Sequence, residues 1–301
     1  MNQPREMCVI FNPAAGRRRA HQRLQAVQKR WSDCAAFWPT QAPGHARELA
    51  RQAALDGYQT VAAAGGDGTM HEVLNGLLLA QVPGTRLGLI PIGSANDFAF
   101  SLDIENSPPI RRIDVGLLRT ADGSRAEYFG CCAGLGFNAC VTVESRRVRW
   151  LQGLLLYGCA TLRALVRHFD CQPWEIAFDD QPAETRPTLL FSALNGRREG
   201  NFPMAPHASL DDGWLDFAHA GELTRWQVLK LLPKLARSGP PADHPQIQLG
   251  RCRRVAIRSP QPLVAHVDGE LFCVPADNVC AVVIELLLAA LEVDLRFAQP
   301  D

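Results

Sequence analysis

The sequence predicts two fold classes in succession, a parallel α/β domain and then an antiparallel all-β domain. Strand-like apolar runs alternate with helical spacing up to about residue 100. Successive runs end in polar, glycine-bearing loops. Beyond Ser107-Pro108-Pro109 and Ile113-Asp114-Val115-Gly116 the texture changes to short alternating runs divided by turn residues.

Cys8-Val9-Ile10-Phe11 is a short strand that ends in Asn12-Pro13-Ala14-Ala15-Gly16, a loop suited to a tight bend. Leu24, Val27 and Trp31 give helical spacing, and Ala35-Ala36-Phe37-Trp38 reads as a second strand running into Thr40. Gly44 opens the next helix, with Ala46, Leu49, Ala50, Ala53 and Ala54 on one face. The run Val61 to Ala64 is a third strand, and it leads into Gly65-Gly66-Asp67-Gly68-Thr69.

That glycine loop has the outline of a phosphate site. Three glycines around an aspartate allow positive φ and bring backbone N–H groups close to an anion. Met70, Val73, Leu74, Leu77 and Leu78 then set a helix beside the loop, and Thr69 with Glu72 fits a capping box. A polyphosphate would meet free N–H groups and the positive end of a helix dipole together. Leu87 to Ile90 is a fourth strand ending in Pro91-Ile92-Gly93-Ser94-Ala95-Asn96-Asp97. In a parallel sheet, loops at successive strand ends converge on one crevice.

In the second half, Asp122-Gly123, Asp179-Asp180 and Asp211-Asp212-Gly213 are turn signals. Tyr128 to Cys132, Trp174 to Phe178, Leu189 to Leu194, Trp214 to Ala218, Arg254 to Arg258 and Leu263 to Val267 read as strands. Two helices interrupt them, Val148 to Phe169 and Thr224 to Arg237. The closing run, Val279 to Leu295, has the length of a helix and a Val-rich start that suits a strand.

Composition narrows the partners. The 301 residues carry 31 basic and 31 acidic side chains, so no whole-molecule field favours nucleic acid or an anionic membrane. Ten cysteines without a C-x-x-C pair read as buried free thiols of a reducing cytosol. No basic-then-apolar leader precedes Met7 to Phe11, and Glu285 interrupts the longest apolar run, so neither secretion nor a membrane span is expected.

The motifs together resemble the diacylglycerol kinase catalytic family, in particular soluble bacterial lipid kinases similar to sphingosine kinases. Those motifs are Asn12-Pro13-x-x-Gly16, Thr40, Gly65 to Thr69, Pro91-x-Gly93-Ser94-x-Asn96-Asp97, Leu210-Asp211-Asp212-Gly213-x-Leu215-Asp216 and His266-Val267-Asp268-Gly269-Glu270. Gly-Gly-Asp-Gly-Thr also occurs in NAD kinases; the later Asp-Gly-Glu and Asp-Asp-Gly motifs tip the balance to lipid kinase. The resemblance implies a NAD-kinase-like nucleotide-binding α/β domain over 1–118, a β-sandwich over 119–276 for the acceptor lipid, and a tail over 277–301 that forms strands and returns toward the first domain. Nucleotide and acceptor would meet in the cleft between the two domains. It also implies ATP and Mg²⁺, with Asn12, Gly16, Thr40, Gly65, Gly66, Asp67, Gly68, Thr69, Gly93, Ser94 and Asn96 around the nucleotide. Asp67, Asp97 and Asp114 would organise Mg²⁺ through water, and Glu270 would be the general base. Ser209, Asp212 and Trp214 match a second, structural metal site, although a hairpin turn without metal fits them too. Ser94 stands where the family usually has threonine, and Leu287-Leu288-Ala289 where a Pro-Gly turn is common.

The function expected is ATP-dependent phosphorylation of a free hydroxyl on a membrane lipid of diacylglycerol, phosphatidylglycerol or sphingoid type. A kinase for a soluble acceptor such as NAD and a non-catalytic nucleotide sensor remain open. A cytoplasmic protein in peripheral contact with the inner face of the membrane is expected, with a homodimer open and no nucleic-acid partner. Arg146, Arg147 and Arg149 before Trp150, Leu151 and Leu154-Leu155-Leu156 form a basic-to-apolar sequence suited to an anionic bilayer.

Overall fold

The computed structural model of the chain describes residues 5–13, 18–93, 95–104, 106–148 and 153–297. Two compact units form, one of Met1–Asp114 with Leu288–Asp301 and the other of Val115–Leu287. The first begins β1 (Arg5–Phe11), α1 (Arg18–Trp31), β2 (Ala35–Pro39), α2 (His45–Leu55), β3 (Tyr58–Gly65), α3 (Asp67–Ala80), β4 (Arg86–Pro91) and α4 (Asp97–Ser101). These four strands pair parallel, in the order β2-β1-β3-β4. The direction of winding reverses between β1 and β3, and an open sheet leaves a crevice at the carboxyl ends there. Val9, Ile10, Val61, Ala62 and Ala64 are buried, as continuous apolar runs are when a parallel sheet is covered on both faces.

Small residues bring two helices of this unit together. Ala46, Ala50, Ala53 and Ala54 are buried, and a Cβ on Gly76 of α3 would collide with the Arg47 carbonyl of α2. The expected Thr69–Glu72 capping box does not form. Gly66 caps α3 without a side-chain bond, and the Glu72 carboxylate instead accepts the Gly44 and Ala46 N–H groups at 2.8 and 2.9 Å. Glu72 thus satisfies the orphan donors of α2 rather than those of its own helix.

Next along the chain come β5 (Ile110–Thr120), which leads into the second unit, β6 (Ala126–Phe129), β7 (Cys132–Gly136), α5 (Phe137–Ser145), α6 (Gly153–Arg167), β8 (Gln172–Phe178), β9 (Glu184–Thr188) and β10 (Leu190–Leu194). Then come β11 (Leu215–Ala220), α7 (Arg225–Ser238), β12 (Ile247–Cys252), β13 (Arg254–Arg258), β14 (Ala265–Val267), β15 (Glu270–Cys273) and β16 (Ala281–Asp294). One antiparallel sheet has the order β12-β11-β10-β7-β14-β15. In the other, β16, β13, β8 and β9 pair antiparallel in turn, with β5 beside β16 and β6 beside β5. Side chains of both sheets share one core that includes Leu118, Phe129, Trp174, Phe191, Phe217, Ile257 and Ile284. The Phe178 and Phe217 rings stack with centroids 4.5 Å apart.

The closing run is strand, as its β-branched start favours. Its last residues, Val293 and Asp294, belong to the first unit and pair parallel with Leu87 and Gly88 of β4. The helix α5 was not expected, and the described part of the next helix starts at 153 rather than 148. All ten cysteines are free, but Cys34 is exposed, a correction to the reading of buried thiols. Burial pushes the Cys8, Cys140 and Cys252 thiols up to about 12, which leaves them unreactive. Among the described residues no helix is long and apolar enough to cross a membrane.

Candidate active site

Parallel register places the loops of the first unit side by side. Phe11 is aligned with Pro39 and Ala64, and Gly65 with Pro91, so Asn12, Thr40, the 65–69 loop and the 91–97 loop all leave the same edge of the sheet. The Thr40 N–H donates to the Phe11 carbonyl at 2.8 Å, and the Ile92 and Gly93 N–H groups both donate to the Gly65 carbonyl at 3.0 and 3.1 Å. The Asp67 carboxylate accepts the Asn96 N–H at 2.9 Å, and the Asn96 amide donates to the Gly93 carbonyl at 3.1 Å. Gly16 and Ser94 lie outside the described residues.

The glycines are needed here for a reason other than the expected one. None of Gly65, Gly66 and Gly68 has positive φ; Gly66 is extended at φ −95°. A Cβ on Gly93 would overlap Gly66 Cα, and one on Gly65 would overlap the Thr69 side chain. The requirement is close approach of one loop backbone to the other. The left-handed residue of the site is Asn96, at φ 52°, a conformation asparagine tolerates.

The helix α3 begins at Asp67, so Gly68 and Thr69 belong to its first turn, whose N–H groups the helix ladder does not use. A 14-residue helix directs its positive end at whatever lies beyond that turn. These features fit the phosphates of a nucleotide. Asp97 and Asp114 are buried, and Asp114 accepts the Ala289 N–H of β16 at 2.7 Å. Among the described residues no group of three His, Cys, Asp or Glu side chains is placed to hold a metal ion. The all-oxygen character of Asp67, Asp97 and Asp114 suits a hard cation that keeps its waters, while direct ligation by the trio is not formed.

In the second unit, Asp268 and Gly269 have φ 49° and 84° and make the tight turn between β14 and β15, from which Glu270 emerges. The Asp268 carboxylate accepts the N–H groups of Gly130, Cys131 and Cys132 at 2.8 to 3.0 Å, so it anchors the turn. Arg146 donates to the Gly269 carbonyl at 3.1 Å and to Glu270 Oε2 at 2.6 Å. Glu270 keeps about half of its side chain exposed, at 48%.

Sequence reasoning passed over a polar cluster directly beneath this turn. Glu199 is bound by His266, Ser192 and Asn138, of which Ser192 and Asn138 carry no motif signal and all lie far apart in the chain. The only hint in the sequence was His266 at the head of the Asp-Gly-Glu motif.

The turn of Ser209, Asp212 and Trp214 finds its counter-charge within the chain. Asp212 accepts the Trp214 N–H at 3.1 Å and pairs with Arg251 at 3.3 Å, while Arg253 lies 4.7 Å over the Trp214 ring.

The chain is similar to known proteins over most of its length. Residues 6–124 match the model of the diacylglycerol kinase catalytic domain, and residues 132–291 that of the YegS C-terminal NAD kinase beta sandwich-like domain. A Chromohalobacter salexigens protein named "Probable lipid kinase YegS-like" is 32% identical over 75% of this chain and 74% of its own. A Bacillus subtilis diacylglycerol kinase is 27% identical over 87% of this chain and 88% of its own. The crystal structure of a diacylglycerol kinase from Bacillus anthracis str. Sterne superposes with a TM-score of 0.68 at 18% identity, covering 98% of both chains, which shows a shared fold. The chain therefore belongs to the diacylglycerol kinase family of lipid kinases, phosphotransferases with an alcohol group as acceptor.

Proposed function

We propose that the protein transfers the γ-phosphoryl group of ATP to a free hydroxyl of a membrane lipid, with diacylglycerol the first acceptor to test. The observation that carries this reading is the packing of the 65–69 loop on the 91–97 loop at the carboxyl edge of a parallel sheet. The names of the relatives support the choice of acceptor. N–H groups of the first turn of α3 bind the phosphates, with Asn12, Thr40 and Asn96 around the nucleotide. Asp67 keeps the two loops in register through Asn96. Asp67, Asp97 and Asp114 would hold a Mg²⁺ ion, which would supply positive charge to spread that of the phosphates.

Glu270 accepts the proton of the acceptor hydroxyl. An alkyl hydroxyl is a poor nucleophile at neutral pH, and a positioned base contributes on the order of 10²–10⁴ in rate. Arg146 holds that carboxylate in one orientation until the hydroxyl takes its place.

Peripheral contact with a bilayer rests on a surface that takes in Leu155 of the basic-to-apolar run and continues along α6 and α7. Arg147 is tied to Glu144 and Arg146 to Glu270, and 149–152 lie outside the described residues. On α6, Leu155, Leu162 and Val166 are exposed, beside Arg163 and Arg167, which like Arg147 pair with Glu144, and on α7 so is Trp226. Apolar side chains next to cations suit an anionic interface.

The test is incubation with labelled ATP, Mg²⁺ and vesicles containing diacylglycerol, phosphatidylglycerol, ceramide or sphingosine. A labelled lipid in at least one arm is expected. No labelled lipid in any arm would overturn the reading.

A further inference from the structure

A cluster of buried polar side chains lies in the second unit with no part in the reaction as described so far. Glu199 accepts from Ser192 Oγ at 2.8 Å and from Asn138 Nδ2 at 3.1 Å, and meets His266 Nε2 at 3.1 Å. Asn138 also donates to Ser192 at 2.7 Å. The side chains of His266 and Glu199 are only 3% and 13% exposed. Burial works to raise the Glu199 carboxyl, and the hydrogen bonds of His266, Ser192 and Asn138 outweigh it and hold the carboxyl below its ordinary value. A Cβ on Gly134 would collide with both Asn138 Nδ2 and His266 Nε2, so β7 leaves room for the cluster only because glycine stands there.

The other ring nitrogen of His266 faces the catalytic turn. The Gly269 N–H donates to His266 Nδ1 at 3.3 Å, one residue before Glu270. A nitrogen that accepts a hydrogen bond carries no proton, so the ring proton resides on Nε2 and is donated to Glu199. The carboxylate thereby selects the tautomer that can receive the Gly269 N–H. With Asp268 bound to the 130–132 backbone, both residues before Glu270 are fixed from below.

We propose that His266, held in one tautomer by buried Glu199, is a positioning residue that sets the Asp268-Gly269 turn and so aims the Glu270 carboxylate at the acceptor hydroxyl. This rests on the reading of Glu270 as the base. A misaimed base costs rate more than binding, because its contact with the hydroxyl proton gains strength in the transition state.

Two amide variants separate aiming from mere structural support. His266→Asn can keep an oxygen near the Nδ1 position for the Gly269 N–H but leaves the buried Glu199 short of a donor. His266→Gln can reach Glu199 but offers Gly269 nothing. Steady-state kinetics on diacylglycerol vesicles should show kcat reduced at least tenfold in His266→Gln with KM for ATP unchanged, and kcat within about threefold of wild type in His266→Asn. Thermal melts should run the opposite way, with His266→Asn the less stable. A His266→Gln enzyme with wild-type kcat, or activities that follow the melting temperatures, would overturn the proposal. Glu270→Gln measured beside them distinguishes the two failures. If it too retains kcat, the base assignment fails; if it alone is inactive, only the positioning role does.

Discussion

Gly93 shows how a single missing Cβ shapes the nucleotide loops. Its Cα lies against Gly66, where any side chain would press one backbone into the other, while a Cβ on Gly66 would rest at 3.4 Å from Gly93 Cα, an ordinary contact. The two glycines should therefore differ under the same substitution. Gly93→Ala is expected to weaken ATP binding at least tenfold, about 1.4 kcal/mol, and Gly66→Ala less than threefold, as read by calorimetric titration. The motif was legible because glycines around one aspartate stand out in any sequence. Its physical reason was not, since close approach of residues 66 and 93 depends on how β3 pairs with β4. The role of Glu199 was not legible: of its partners only His266 stands in a motif, and Asn138, Ser192 and His266 are brought together only by tertiary packing.

At the scale of the element, α5 illustrates burial overriding local preference. Phe137–Ser145 contains Val141, Thr142 and Val143, residues that disfavour helix, yet the segment is helical. Glu144 ties it to its neighbour. The side chain has no exposure and binds Arg147 and Arg163 at 2.7 Å, His168 at 3.1 Å and Arg167 at 3.3 Å, so three residues of or just after α6 converge on it. Burial alone would raise this carboxyl; the bonds of Arg163 and His168, then the charges of Arg147 and Arg163, bring it down from 4.5 to about 2. A carboxylate depressed in the folded state stabilises fully above its unfolded value and loses that contribution as pH falls through the folded one. Wild type should therefore lose on the order of 2 kcal/mol between about pH 4.5 and 2, discounted for the half-exposed arginines. In Glu144→Gln that acid-dependent part should be missing, which thermal melts over the same pH range would show. A variant as acid-sensitive as wild type there would place the titrating group elsewhere.

For the whole molecule, the alternation of strand and helix in the first unit and the turn-punctuated runs of the second both followed from periodicity. The course of the last strand did not. Ala289 adopts φ 48° within β16 and donates its N–H to Asp114, where the sequence offers neither glycine nor proline to mark the irregularity. Residue spacing likewise could not say that the 91–97 loop and the 65–69 loop share hydrogen bonds, because that requires parallel register. In the proposed account, the first unit binds nucleotide through its loop edge and the second supplies the base. These functions should then fail separately. The most direct test is Glu270→Gln assayed with diacylglycerol vesicles and ATP, because the change preserves size and removes only the proton acceptor. The account predicts a kcat lower by at least about a hundredfold, roughly 2.7 kcal/mol of transition-state stabilisation, with KM for ATP unchanged. A kcat within threefold of wild type would contradict it.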